Sequence, residues 1–583
     1  MSHQIKKNLG VILYRGKAVF RVWAPFAKSV GIIGTFNDWQ ESYLESENDG
    51  YWSIEIPGAE AGHAYHYLIH TADSVLVRND PRAKQLTVSD GGTSVIADNS
   101  FDWEGDDFQA PPKEKQIIYE MHLGTFNRPD SATPATFADA IEKLDYLKEL
   151  GITTVQLMPV TSMAYSGGWG YAPNYLFAVE PAYGGRHGLM SFVKACHKRG
   201  IGVILDVVYN HFSSNTDLWQ YDGWHEDNHG GIYFYNDERG DTPWGGRPDY
   251  GRAEVRQFIL DNVAMWLTEY KLDGLRIDST VYMRNLDGRS GHHSRDIEGA
   301  WDLLSAINKR AHKINPNALI IAEDDANEPG ITKRTSDGGC GFDAQWEQSF
   351  PHGVRKALDL PPDQPASLDG LVFALERKFN DNVHEKIIFS DSHDTAANGS
   401  SRLWDEADTA NAKTADQRGL LASVITYTAP GIPMILQGSE FFQVGAFSDW
   451  LQLNWKTAEK NKGIIKAHQD LAKLRLNLPG LTGQSTSIFH RDDTNRVLGY
   501  HRWENGNGDD DVLVLCNFGS NDFKEYLVRL PIQGAWQVVF NSSWRGYSPK
   551  FKQTNILEVI ADDKGNADIP LHKYTGLVLT YKK

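Results

Sequence analysis

The sequence predicts an α/β protein: a (β/α)8 TIM barrel flanked by an N-terminal and a C-terminal β-sandwich domain. Three observations predict it. Both ends of the 583-residue chain carry short strand-like alternations broken by turn residues. The middle alternates apolar strand segments with helix-period segments, the order that makes parallel βα units. Eight such strands in about 370 residues fit one barrel with insertions better than two separate domains. The resulting division is residues 1–108, 109–478 and 479–583.

In the first region Trp52, Ile54, Ile56 and then Tyr65, Tyr67, Ile69 alternate, with Asn48-Asp49-Gly50 as a turn cluster between them. Gly34-Thr-Phe-Asn-Asp-Trp39 sets two aromatics beside polar turn residues. That pattern suits a sugar-stacking surface with Trp39 as its candidate, and spacing alone suits a plugged sandwich core equally well. Pro111-Pro112 reads as a linker. The first barrel strand is Ile117–Tyr119. One helix follows, with Phe137, Ile141, Leu144 and Leu147 on its face, Thr136 as N-cap and Gly151 as stop. Next come a strand at Thr154–Leu157, a helix at Leu189–Arg199 and a strand at Gly202–Leu205. A long helix carrying Val255, Ile259, Val263, Trp266 and Leu267 leads into Gly274–Ile277. Leu319–Ala322, a segment near Phe342, Ile387–Ser390 and Pro433–Leu436 complete the barrel, and Val512–Cys516 belongs to the last sandwich.

Composition removes several function classes. Lys and Arg number 58 against 76 Asp and Glu, so the net charge of −18 argues against a surface that neutralises phosphates or binds an anionic membrane. Neither nucleic acid nor membrane is expected as a partner. Cys196, Cys340 and Cys516 are too few and too scattered for a disulfide framework or a zinc site. The N-terminus lacks the apolar stretch of a secretory signal. The longest apolar run, Leu420–Leu436, is cut by Pro430, Gly431 and Pro433. A cytoplasmic protein is expected.

In a parallel barrel, chemistry gathers where the strands end at their C-terminal side. Asp206 ends the third strand, with His211 after it. Asp278 ends the fourth, with Arg276 two residues earlier on the same side. Glu323 ends the fifth, and His393-Asp394 follows the seventh. Each acid alone is explained as a helix cap or turn former, and Arg276 with Asp278 as an ordinary ion pair. Four strand ends delivering acids to one rim are harder to explain that way, because clustered carboxylates repel unless cations, a metal or a task offset the cost. Cleavage of a glycosidic bond needs two such carboxyls. Arg276 favours an ionised Asp278, and burial favours a protonated Glu323.

Asp206-Val-Val-Tyr-Asn-His211, Gly274-Leu-Arg-Ile-Asp278, Ala322-Glu323 and Ser392-His393-Asp394, in that order, resemble the four sequence regions of the α-amylase family of glycoside hydrolases. Gly168-Trp-Gly-Tyr171 resembles the segment before the third strand in that family. Val22-Trp-Ala-Pro25 and Gly34–Trp39 resemble its N-terminal carbohydrate-binding module. The resemblance implies a retaining mechanism, with Asp278 as nucleophile, Glu323 as acid and base, and Asp394 holding sugar hydroxyls. It also implies that His211 and His393 donate hydrogen bonds, that Tyr171 stacks under the ring, and that Asp206 and Arg276 hold the site electrostatically.

The barrel's later part resembles bacterial 1,4-α-glucan branching enzymes, which transfer to the 6-hydroxyl of a second glucan. The substrate implied is glycogen, amylose or a maltooligosaccharide. Two positions depart from that group: Thr395 replaces an acidic residue and Asp324 replaces a second Glu. Residues 322–329 and 341–346 look more like maltooligosyltrehalose trehalohydrolase, so a hydrolase of the same family is the alternative. These departures fall beside the acceptor side of the site. A non-catalytic glucan-binding protein is the third reading. No cofactor is required on this reading. Some relatives bind structural calcium, but no segment has calcium-loop spacing, and no metal ligand is assigned.

Overall fold

In a computed structural model of the protein, the eight apolar segments of the middle region close into one parallel barrel. The structure describes all residues except 1–7, 90, 131, 164–168, 290, 360–366, 406–413, 554–555 and 583. The barrel strands are β1 (Ile118–Met121), β2 (Thr154–Leu157), β3 (Gly202–Val207), β4 (Gly274–Ile277), β5 (Leu319–Ala322), β6 (Ala344–Trp346), β7 (Lys386–Ile388) and β8 (Ile432–Leu436), with β8 pairing back to β1. Helices cover the outside and side chains fill the inside, so the strands are buried on both faces and read as unbroken apolar runs. Ile118, Ile204, Ile321, Trp346, Ile387, Phe389 and Met434 belong to one buried cluster in the barrel.

Local signals set several boundaries. Thr136 caps its helix through a reciprocal box in which its hydroxyl accepts from the Asp139 amide while Asp139 accepts from the Thr136 amide. Gly151 ends the next helix in the left-handed region at φ 90°. The expected single helix is two, Phe137–Ile141 and Leu144–Leu150. Apolar periodicity survives a one-turn break, which is why spacing did not reveal it. The helix expected at Leu189–Arg199 runs Gly185–His197, starting a turn earlier, and its Gly188 permits a close approach to the preceding helix: a Cβ there would stand 3.0 Å from the Phe137 ring. The strand expected near Phe342 is β6, three residues long and too short to carry a pattern.

The N-terminal region is a sandwich of two antiparallel sheets. Lys17–Trp23 and Tyr51–Pro57 belong to one, Ser29–Gly34 and Ala64–His70 to the other. Phe20, Val22, Trp52, Ile32, Tyr65 and Tyr67 are buried in its core. Arg82 joins it to the barrel by an ion pair with Asp261 at 2.8 Å, and Lys84 does so with Glu269 at 2.7 Å. The C-terminal region holds a six-stranded antiparallel sheet and a two-stranded one. Its strand Thr575–Tyr581 packs on the barrel helix Ala415–Thr428, where a Cβ on Gly576 would meet Val424 at 2.9 Å. Among the described residues, no helix is long and apolar enough to cross a membrane.

Candidate active site

A cavity of about 920 Å³ opens at the C-terminal ends of the barrel strands, with Tyr171, His211, Asp278, Glu323, His393 and Asp394 in its lining. Barrel register brings the acids together. Asp206 on β3 lies opposite Arg276 on β4. The hydrogen-bond ladder then runs one step beyond the strands: the Asp278 amide donates to Val207 O and the Glu323 amide to Ile277 O, each at 3.0 Å. Both carboxyl residues therefore sit at the rim on a rigid backbone.

Arg276 is the centre of the arrangement. Fully buried, its guanidinium pairs with Asp206 at 2.6 Å, Asp278 at 2.9 Å and Glu323 at 2.8 Å, while packing over the Trp346 ring at 4.4 Å. Burial works against its charge, but Asp206 and Glu323 outweigh burial and strengthen it. The sequence suggested that Arg276 keeps Asp278 readily ionised. In the structure burial prevails, and the Asp278 carboxyl lies above the ordinary carboxylate range despite the guanidinium and a 2.6 Å bond from the Asn210 amide. Glu323 is raised further, first by burial and then by the charges of Asp278 and Asp394, against the pull of Arg276. Its Oε2 also accepts from the Ser279 amide at 2.9 Å. Ser279 reaches that position with φ 40°, a left-handed conformation that an L-residue adopts only at a cost of about 1 kcal/mol.

The second group surrounds His393. Glu120, wholly buried on β1, accepts from the His393 amide at 3.0 Å and contacts its Nδ1 at 2.7 Å, which directs Nε2 toward Asp394 at 3.3 Å. Burial opposes a charged imidazole, yet Asp394 and Glu120 overcome it and push His393 up to about 9. Tyr171 stacks on the His393 ring at 5.1 Å and donates its hydroxyl to Asp206 at 2.6 Å. His211 contacts Tyr171 O at 2.7 Å, and burial lowers it to about 4. All eight barrel residues proposed from the sequence thus meet in one constellation. Gly168 of the Gly168–Tyr171 motif lies outside the described residues.

Sequence reading missed Glu120, Asn210, Ser279, Asp325 and Trp244. Glu120 carried a signal, a carboxyl inside an apolar strand. The others act through loop conformation, which no spacing reveals. Of the two residues that depart from the branching-enzyme pattern, Asp324 faces inward and Thr395 is half-buried. Asp324 is buried, bound to Arg284 by two 2.9 Å hydrogen bonds, and the Thr395 hydroxyl accepts from the Ser392 amide at 2.8 Å. The next residue, Asp325, opens into the cavity and bonds to Gln348 at 2.8 Å. Trp39 does not line this cavity; it is 43% exposed on the N-terminal sandwich with its ring 6.3 Å from that of His66. Among the described residues, no group of three or more His, Cys, Asp or Glu is arranged to hold a metal ion.

Comparison with known proteins adds independent findings. The model of the α-amylase catalytic domain matches residues 123–248, that of carbohydrate-binding module 48 (isoamylase N-terminal domain) matches 8–83, and that of the α-amylase C-terminal all-β domain matches 488–582. A 1,4-alpha-glucan branching enzyme GlgB from Corynebacterium jeikeium is 31% identical over 574 residues, covering 92% of this chain and 78% of that protein. The protein of that name from Fusobacterium nucleatum is 29% identical, covering 98% and 95%. Among solved structures, a pullulanase from Anoxybacillus complexed with maltotetraose superposes with a TM-score of 0.77 at 20% identity, covering 99% of this chain and 87% of that one.

Proposed function

The chain belongs to the α-amylase family of glycoside hydrolases and glycosyl-transferring enzymes, and from that premise we propose that it is a 1,4-α-glucan branching enzyme that cleaves an α-1,4 bond with retention and re-forms it as an α-1,6 branch. The observation that carries the reading is Arg276 pairing with both Asp278 and Glu323. Two carboxyls on neighbouring nitrogens of one guanidinium favour the close spacing of a retaining pair, about 5–5.5 Å, over the roughly 6.5–9.5 Å of an inverting one.

In the first step an Asp278 oxygen attacks the anomeric carbon, the bond to the leaving oxygen breaks, and Glu323 passes its proton to that oxygen. In the second step Glu323, now ionised, takes the proton of an acceptor hydroxyl, whose oxygen displaces Asp278 from the same carbon. A raised pKa suits Glu323 to this exchange, because it holds a proton where an ordinary carboxyl has lost it. His393 and Asp394 suit the hydroxyls of the reacting ring, and Tyr171 with Arg276 suits the base of its site. The branching enzymes at about 30% identity support the 6-hydroxyl of a second glucan as acceptor.

Incubation with amylose tests this. Branching lowers the iodine colour without a matching rise in reducing ends. A large rise in reducing ends assigns the chain to hydrolysis, and no change in either assigns it to binding alone.

A further inference from the structure

The loop between β3 and the helix Ala253–Thr268, residues 208–252, supplies His211 and Trp244 to the cavity lining. So long a loop, built on a two-residue hairpin and a short 3₁₀ turn, depends on its neighbours for order. Its far side is held by a different domain. Arg78 ends an edge strand of the N-terminal sandwich, Val75–Arg78, and its guanidinium donates to the Tyr221 and Gln220 carbonyls at 3.0 and 3.1 Å. Gln220 adopts φ 50°, a left-handed conformation that a non-glycine residue keeps only where its surroundings enforce it. The next sandwich residue, Asn79, is buried, donates to Asp217 Oδ2 at 3.3 Å and accepts at its carbonyl from the Tyr221 hydroxyl at 3.2 Å. Phe26 adds a second grip: its amide donates to Asp222 at 2.9 Å and its ring stacks on Trp224 at 4.6 Å and 8°.

The gripped stretch reaches the cavity wall through packed groups. Trp219 directly precedes Gln220, and its ring lies 5.4 Å from that of Phe234. Both press on Gly246, where a Cβ would stand 2.9 Å from Phe234 and 3.2 Å from Trp219. Gly246 closes the hairpin whose turn holds Trp244, Asp241–Thr242 paired with Gly245–Gly246. Its carbonyl also accepts from the amide of Phe212, the residue after His211, at 2.9 Å. Close-packed contacts of this kind pass a displacement on rather than absorb it, so a shift at Gln220 is felt at both lining residues.

We propose that the N-terminal sandwich braces the catalytic cavity, and that Arg78 is a positioning residue that holds the loop after β3 so that His211 and Trp244 face the substrate. This rests on the reading of the cavity as the site of glucan cleavage. Arg78 lies outside the cavity lining and acts through the loop alone. Misplacement by about 1 Å at a reacting site costs up to about a hundredfold in rate, whereas a surface that only holds polysaccharide changes retention and leaves turnover of short glucans constant.

The test compares the parent chain with Arg78→Ala, Arg78→Lys and Phe26→Ala, all well below their unfolding midpoints. In Arg78→Ala, hydrogen exchange is expected to quicken at the amides of residues 212–246, with the sandwich strand Lys17–Trp23 as protected as before. Its kcat/KM on soluble maltoheptaose is expected to fall roughly tenfold, with retention on insoluble starch unchanged. Arg78→Lys is expected to recover much of both losses, since an ammonium can donate to both carbonyls. Phe26 is 50% exposed, so Phe26→Ala loosens the second grip without emptying a core, and a fall of about threefold in kcat/KM is expected. Unchanged exchange in the loop, or faster exchange with kcat/KM unchanged, overturns the brace. Loss of starch retention at constant maltoheptaose turnover overturns it too and leaves the sandwich a sugar-holding module only. A parent chain that does not convert maltoheptaose overturns the glucan reading instead, and the brace then stands or falls on the exchange comparison.

Discussion

Asp278 and Glu323 share one guanidinium and are both raised by burial and by two neighbouring carboxylates, Glu323 further than Asp278. The proposed chemistry needs Asp278 ionised and Glu323 protonated. Activity is therefore lost as pH falls through the Asp278 transition and as pH rises through that of Glu323. Both groups are raised, so the bell in kcat/KM is expected to lie above the ordinary carboxylate range of about 4. An optimum below about pH 4 refutes the assignment. Glu120 is a positioning residue in the same scheme, since it touches His393 and does not line the cavity. Glu120→Gln keeps a side chain of that size while removing its charge. His393 then loses its proton at lower pH than about 9. The cation is present only below that transition, so once it falls below that of Glu323 it sets the alkaline limb in its place and moves the loss of activity toward neutrality, with kcat down roughly tenfold or more. A purely structural role for Glu120 lowers stability and leaves the shape of the pH profile unchanged.

Among the elements, the rim residues depend on how each strand ends. β4 and β5 are four residues long, and the backbone ladder that continues through Asp278 and Glu323 holds them as firmly as strand residues. The loop after β4 departs from this regularity at Ser279, whose left-handed turn aims an amide at Glu323. Strand positions were legible from apolar runs bounded by Gly and Asp. The start of the helix at Gly185, a turn before its apolar period, was not, and nor was the packing of its Gly188 against Phe137. The capping box at Thr136 was half legible: a Thr before the apolar period marked the start, and Asp139 completes the reciprocal pair. Thr136→Ala leaves the Asp139 amide without its partner and is expected to cost about 1 kcal/mol, read as a lower unfolding midpoint with the activity profile unchanged.

For the whole molecule, the acidic balance and the aromatic content have partly separate destinations. Five acids line the cavity, while most large aromatics fill cores, including Trp266, Trp346 and Trp536, all fully buried. Trp39 belongs to the exposed minority, on the region matched by the carbohydrate-binding module. If that surface holds glucan, Trp39→Ala weakens retention on insoluble starch while turnover of soluble maltoheptaose stays constant. Equal retention returns Trp39 to an ordinary surface role. By itself the sequence determined the barrel and its two flanking sandwiches and placed seven of the eight proposed barrel residues at strand ends, because strand periodicity and the residue at each strand end are local features of the chain; Tyr171 came from the resemblance to the family. Tertiary structure alone decided that Arg276 forms ion pairs with three acids at once, that Asp324 turns inward while Asp325 faces the cavity, and that Glu120 and Trp244 join the site. Those facts depend on which strands become neighbours and which way loops turn, and both follow from closing the barrel, a contact between residues far apart in the chain.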